Sequence, residues 1–231
     1  RGESDSLVFD IQLGDKDLNR IYLRYLSSKS EQFFGFGEQF SYFNMKGKKP
    51  FLFTEEQGLG RGDQPLTMIA NLIAGVGGNQ YSTYIPIPFY ITTNNRALFF
   101  ENSGYMAFDL TNPELVVAEF REKGVKGTIW LADSPLQLVE YFTAKTGRFA
   151  PLPEWAYGTW LGLMGGREKA ERVVKEARQA GNPITALWIQ DWSGKRQTRY
   201  GSRLWWRWIA DQKLYPDFKN FCLAMKEQGV R

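Results

Sequence analysis

Two textures of apolar and polar positions run along the chain. Up to about residue 133 the apolar residues come in short runs, "LVFDIQL", "IYLRYL", "TYIPIPFYITT", "ALFFEN", "YMAFDL", "LVVAEF" and "GTIWLA", separated by Gly, Asn, Asp and Ser. Several alternate with period two and are rich in β-branched and aromatic residues, which predicts half-buried strands. Their close, regular spacing predicts an antiparallel β-sandwich. Between them "ANLIAGVGGNQ" reads as a loop-rich insertion, because Gly75, Gly77 and Gly78 interrupt any regular element.

At Ser134 the pattern changes. "SPLQLVEYFTAKTG" offers a Ser N-cap, Pro at the first helical position, helically spaced apolar residues and Gly147 as a stop. "RFAPLPEW" then reads as a proline-stiffened linker, which places a domain boundary there, with 1–147 as the sandwich and 148–231 as a second domain. In the second part a nearly continuous apolar run, "AYGTWLGL", precedes the amphipathic "GREKAERVVKEARQAG". A second run, "ITALWIQ", precedes a second helical segment, "YPDFKNFCLAMKEQG". Strands buried on both faces and alternating with helices indicate a parallel sheet. Two such β/α units are too few to close a sheet or a barrel, and "GVR" stands where a third strand would begin. The expectation is therefore a multidomain β plus α/β chain that is the front part of a longer protein.

Composition sets the bounds on chemistry. With 231 residues, 43% of them hydrophobic, the chain can build a proper core, and 16% aromatic residues point first to packing and second to stacking surfaces. A net charge of +4 without any long Lys/Arg run is too mild to suggest nucleic acid. The absence of histidine removes Ser-His and Cys-His catalysis and the usual zinc sites, leaving carboxylate chemistry or plain binding. No metal or cofactor is expected. Cys222 cannot form an internal disulfide and is expected to be a buried packing residue. No apolar run reaches the roughly 18 residues of a membrane span, and no export signal is visible after Arg1, so a cytoplasmic location without membrane contact is expected.

Candidate chemistry gathers in "IQDWSGKRQTRYGSRLWW". Gln190 and Asp191 end the second apolar run, at the carboxyl end of a strand, where parallel α/β folds build their sites. Asp191 alone reads equally well as a cap on the following loop, whereas Gln190, flanked by Trp188 and Trp192, is harder to assign to structure. Arg203 and Trp206 lie three apart, so a helical turn would let a guanidinium and an indole N–H converge on one oxygen-rich group. Arginine suits a fixed anion because its planar fork donates two parallel hydrogen bonds. Equally, Lys195, Arg196, Arg199, Arg203 and Arg207 could form a solvated basic face, and composition alone favours that. The glycine-rich "AGVGG" and "LMGG" lack the spacing and the Lys-Ser/Thr of phosphate loops.

These residues carry a resemblance. "QFFGFGEQFSYFNMKGKKPFLFTEEQGLGRGDQP" resembles the N-terminal β-sandwich of glycoside hydrolase family 31, where such a stretch precedes a loop reaching towards the active site. "LPEWAYGTWLGLMGGREKAERVVKEARQAGNPITALWIQDWSGKRQTRYGSRLWWRW" resembles the opening of that family's catalytic (β/α)8 barrel, and "WIQDWSGKRQT" followed by "GSRLWWRW" is similar to its sulfoquinovosidase branch. The resemblance implies that Gln190, Arg203 and Trp206 surround the sulfonate of a small anionic sulfosugar glycoside. Ordinary α-glucosidases of the family carry an Asp where this chain has Gln190. A carboxylate there would repel a sulfonate. Met164 departs from the branch, which has a polar residue, commonly Gln or Lys, at that position, so contacts to the ring hydroxyls are expected to differ. The resemblance further implies a retaining mechanism with two aspartates, both expected beyond Arg231, so that the chain by itself would be inactive. Two alternatives stay open: an α-glucosidase or α-xylosidase of the family acting on neutral sugars, and a non-catalytic sugar- or anion-binding protein. A homo-oligomer is compatible with all three.

Overall fold

The computed structural model describes residues 6–55, 59–62 and 64–231. The chain divides into two compact units, Arg1–Arg148 and Phe149–Arg231.

Among the described residues the first unit holds nine strands: β1 (Ser6–Gln12), β2 (Ile21–Leu26), β3 (Phe33–Gly35), β4 (Phe51–Leu52), β5 (Phe89–Thr92), β6 (Arg96–Phe100), β7 (Met106–Asp109), β8 (Leu115–Phe120) and β9 (Gly124–Leu131). They form a five-stranded sheet in the order β1-β9-β6-β5-β3 and a four-stranded sheet in the order β2-β8-β7-β4, and every pairing is antiparallel. Alternation explains the layering. In β8, Val116, Ala118 and Phe120 point inward while Leu115, Val117 and Glu119 point away. One buried cluster draws on both sheets, with Phe33, Tyr90, Leu98 and Phe100 from the larger and Ile21, Phe108, Val116 and Phe120 from the smaller, which is the packing of a sandwich. In β6 the phase is shared out: Leu98 and Phe100 enter that cluster, while Ala97 and Phe99 face outward and meet the helix α2 (Pro135–Thr146) through Leu138 and Phe142. Helix α2 starts as its sequence requires, with the Ser134 side chain accepting the Gln137 backbone N–H at 3.3 Å.

The "FFGFG" stretch turns sharply after β3. Phe36 sits in the left-handed region at φ 65°, and Gly37 follows at φ 86°; a Cβ at residue 37 would lie 2.1 Å from the Ile85 carbonyl oxygen, so only glycine fits. The turn drives the Phe36 ring into full burial, stacked on Tyr90 at 4.9 Å between centroids and edge-on to Phe108 at 5.1 Å. Residues 56–58 and 63, in the sequence that follows, lie outside the described residues, so the reach towards an active site implied by the resemblance falls partly on positions not described.

One expectation fails here. Ala70–Ala74, read as loop, belong to a helix, α1 (Pro65–Ala74). Pro65 at the first turn starts it and Gly75 stops it, with the Gly75 N–H donating to the Asn71 carbonyl at 3.0 Å. The glycines belong to the end of the helix rather than to its body.

In the second unit β10 (Thr159–Leu163) and β11 (Ile184–Ile189) pair in parallel, joined through α3 (Arg167–Gln179) and followed by the hairpin β12 (Lys195–Thr198) and β13 (Gly201–Leu204), then α4 (Phe218–Glu227). The parallel pairing and the β-α-β-α order match the sequence pattern. Arg231 donates its N–H to the Thr185 carbonyl at 2.9 Å and accepts the Leu187 N–H at 2.7 Å, the bonds of a parallel ladder on the edge of β11 that β10 leaves free. Burial on both faces is not observed: Trp160 is 47% and Trp188 60% exposed. The helices α3 and α4 pack Val174, Phe221 and Met225 against Leu163, Leu187 and Ile189, and a continuous apolar run reads the same with one face covered as with two. Cys222 is also exposed, contrary to expectation. The buried stripe of α4 is Phe221 and Met225, four apart, and Cys222 lies about 100° round the helix from Phe221.

Candidate functional site

The carboxyl ends of β10 and β11 carry two loops tied together by one buried side chain. Asp191, fully buried, accepts the Gly165 N–H at 2.8 Å on Oδ2 and the Tyr215 hydroxyl at 2.6 Å on Oδ1. The Tyr215 oxygen in turn accepts the Gly166 N–H at 3.2 Å. Burial, and then the bond to Asp191, push the Tyr215 hydroxyl well above the usual tyrosine range, so it stays a proton donor. The two N–H groups of "LMGG" are thus consumed by protein oxygens. Asp191 is more than a cap on its own loop, because it pins the loop after β10 to the loop after β11.

After Asp191 a turn closes with the Gly194 N–H donating to the Asp191 carbonyl at 2.9 Å. Gly194 has φ 88°, and a Cβ there would lie 2.4 Å from Asp211 Oδ2, so the close approach to Asp211 needs glycine. The chain then runs out along β12 and returns along β13, with Lys195 opposite Leu204 and Arg196 opposite Arg203. The base of the hairpin is fastened by the Trp205 N–H to the Gly194 carbonyl at 3.0 Å and by the buried Ser193 hydroxyl to the Trp205 carbonyl at 2.6 Å. Arg207 belongs to this fastening: its Nε donates to the Ser193 carbonyl at 3.2 Å, its guanidinium lies 4.5 Å from the Trp205 ring, and Nη2 is 3.6 Å from Asp211 Oδ2. Asp211 is held below the usual carboxylate range by the Leu214 N–H, with Lys213 N–H and the Arg207 charge adding to it.

Gln190, Arg203 and Trp206 line one cavity of about 430 Å³, together with Met164, Lys195, Ser202 and Leu204. The helical turn expected to join Arg203 to Trp206 is absent: Arg203 sits in β13 and Trp206 just beyond it, so strand geometry at the base of the hairpin brings them together. Among the described residues the Gln190 carboxamide, the Arg203 guanidinium and the Trp206 indole have no hydrogen bond, ion pair or ring contact, and Trp206 is 57% exposed. Among the described residues no carboxylate lines the cavity. Its polar side chains are therefore free donors with a positive bias, suited to an anionic oxygen cluster. Among the described residues no group of three or more His, Cys, Asp or Glu is placed to hold a metal ion, and no helix is long and apolar enough to cross a membrane.

The sequence left Lys195, Arg196, Arg199 and Arg207 open to being a solvated face of the loop. Arg199 lies over the Tyr200 ring at 4.6 Å at the hairpin tip, away from the cavity. Lys195 does line the cavity, with Nζ 3.9 Å from Asp191 Oδ2. Ser202 and Tyr215 were missed as well. Reading "KRQT-RY-GSRL" as a hairpin with a two-residue tip would have set Arg196 opposite Arg203 and Lys195 opposite Leu204, which lines the cavity with it.

Residues 12–109 match the glycosyl hydrolase 31 N-terminal galactose mutarotase-like domain. The chain is 35% identical to the sulfoquinovosidase of Escherichia coli strain K12 over 97% of its own length, and 34% identical to that of Agrobacterium fabrum strain C58 over 94%. It spans about a third of the length of these curated relatives, 34% and 33%. Among solved structures, a family 31 sulfoquinovosidase from E. rectale, in complex with an aza-sugar inhibitor, matches all of this chain and 35% of that one at a TM-score of 0.90 and 31% identity. A family 31 α-xylosidase from a soil metagenome matches at 0.68 and 18% identity, a likeness of fold. The chain thus carries over residues 12–109 the N-terminal domain of glycoside hydrolase family 31, and over nearly all of its length it is similar to that family's sulfoquinovosidases.

Proposed function

We propose that this chain is part of a retaining α-glycosidase that cleaves α-sulfoquinovosides and releases sulfoquinovose, with β10, α3, β11 and α4 as the opening β/α units of a (β/α)8 barrel. The observation that carries the reading is the convergence of Gln190, Arg203 and Trp206, all with unengaged donors, on one cavity that no carboxylate among the described residues lines. Arg203 would pair with two oxygens of the permanently charged sulfonate, Trp206 Nε1 would donate to the third, and Gln190 would act through a water or a neighbouring hydroxyl. A neutral amide at Gln190 avoids the repulsion that a carboxylate would impose.

In the reaction one aspartate attacks the anomeric carbon to give a glycosyl-enzyme, while the other protonates the leaving oxygen and then activates water. Asp191 does not serve as either. It is fully buried and both of its oxygens already accept hydrogen bonds, and an attacking carboxylate must present a free oxygen to the sugar.

Met164 on the cavity wall favours a second reading, an α-glucosidase or α-xylosidase of the same family acting on neutral sugars. One assay decides between them. In the complete protein, 4-nitrophenyl α-sulfoquinovoside is expected to be cleaved at least a hundredfold more efficiently than 4-nitrophenyl α-glucoside. Arg203→Ala is expected to remove that preference. Equal cleavage of the two substrates by the unaltered protein, or a preference that survives Arg203→Ala, overturns the proposal.

A further inference from the structure

We propose that Lys195 is a second cation of the anion site and sets its selectivity for a sulfonated sugar over a neutral one; this rests on the reading that Arg203 meets the sulfonate. Lys195 opens β12, one strand away from Arg203 on β13, and both line the cavity. The hairpin thus delivers two cations to one space that no carboxylate among the described residues lines.

The competing role for Lys195 is to neutralise Asp191, and the geometry weighs against it. Asp191 Oδ2 takes the Gly165 N–H at 2.8 Å and Oδ1 the Tyr215 hydroxyl at 2.6 Å, whereas Lys195 Nζ stands off at 3.9 Å. Among the described residues that ammonium makes no hydrogen bond, and its side chain is 41% exposed. Its three N–H donors are free while its approximate position is fixed by the buried charge beneath it. A sulfonate has three oxygens, each able to accept more than one hydrogen bond. An arginine fork and an indole leave acceptors open, and a lysine on the same hairpin can reach them. Across the cavity Met164 can donate nothing, so charge on the hairpin side is the available means of discrimination.

The test is calorimetric titration of the complete protein with sulfoquinovose, and with glucose as the neutral probe. Lys195→Met is expected to weaken sulfoquinovose binding about five- to tenfold, the effect of one partly screened charge, while glucose binding changes less than twofold. Lys195→Arg restores most of the loss, and raising the salt weakens the unaltered protein more than the Met variant. Urea denaturation of each variant, with Lys195→Gln as a second neutral replacement, separates this role from support of Asp191. A drop in stability with an unchanged sulfoquinovose-to-glucose ratio overturns the proposal, as does an equal loss for both sugars. If Arg203→Ala abolishes sulfoquinovose binding and Lys195→Met leaves the ratio alone, the role of Lys195 fails and the reading of the cavity stands. If Arg203→Ala is silent too, both fail.

Discussion

Glu31 and Arg203 are both charged side chains flanked by aromatic residues, and the protein treats them in opposite ways. Glu31, 1% exposed, lies in the sandwich with Arg96 Nη2 at 2.8 and 3.0 Å from its two oxygens and the Ser27 hydroxyl at 2.8 Å. Around it, Tyr25 and Tyr90 share a hydrogen bond, and Lys46 donates to Ser27 Oγ at 3.0 Å. Burial keeps both tyrosine hydroxyls protonated far above their ordinary range. Arg203 stands at the rim of a cavity, exposed and engaging nothing among the described residues. A buried charge without a partner is costly, so the sandwich gives both oxygens of Glu31 donors, although Arg96 Nε itself finds no partner among the described residues. A solvated charge can remain open until something arrives. The contrast separates polar groups that hold the fold from polar groups held ready by it.

That contrast can be broken by stability measurements. Glu31→Ala leaves the half-buried Arg96 without its carboxylate and is expected to cost about 3 kcal/mol in urea denaturation, the lower end for a broken buried pair; a cost below about 1 kcal/mol would erase the distinction. Tyr215→Phe removes the donor to Asp191 and the acceptor for Gly166, and is expected to cost about 1.5–3 kcal/mol. It should also weaken sulfoquinovose binding although Tyr215 does not line the cavity, because the two loops lose their common anchor. Arg203→Ala is expected to change stability by no more than about 0.5 kcal/mol while removing the preference for the sulfosugar. Stability lost on that substitution would place Arg203 with Glu31 instead. The smallest effect concerns pH. Asp211 is depressed in the folded state, so its contribution is present above the unfolded value of about 4 and is lost as the pH falls through the folded one. Asp211→Asn should therefore flatten the acid limb of the stability profile slightly. At the alkaline end the raised Tyr215 contributes below about pH 10, and that contribution declines above it; Tyr215→Phe removes this limb.

Much of the architecture was legible because burial writes a period into the chain. The alternation in β8, the Ser134 cap of α2 and the β-α-β-α order of the second unit follow from spacing alone. Helix α1 was hidden because its ten residues run straight into the glycines that end it. Cys222 was misplaced because an apolar neighbourhood does not say which way a helix faces. Gln190, Arg203 and Trp206 were singled out through spacing and family resemblance, and all three line one cavity. Lys195 escaped because "KRQT" is polar throughout, and a strand without hydrophobic alternation does not announce its register.

The anchoring of Asp191 has a consequence for descent. Its two hydrogen bonds run to the Gly165 N–H and the Tyr215 hydroxyl, neither of which lines the cavity. Met164 and Ser202 can therefore mutate one at a time while the frame that spaces them persists. A lineage built this way can drift from one sugar to another through single substitutions, each intermediate still folding, with its substrate repertoire uncoupled from its survival as a protein.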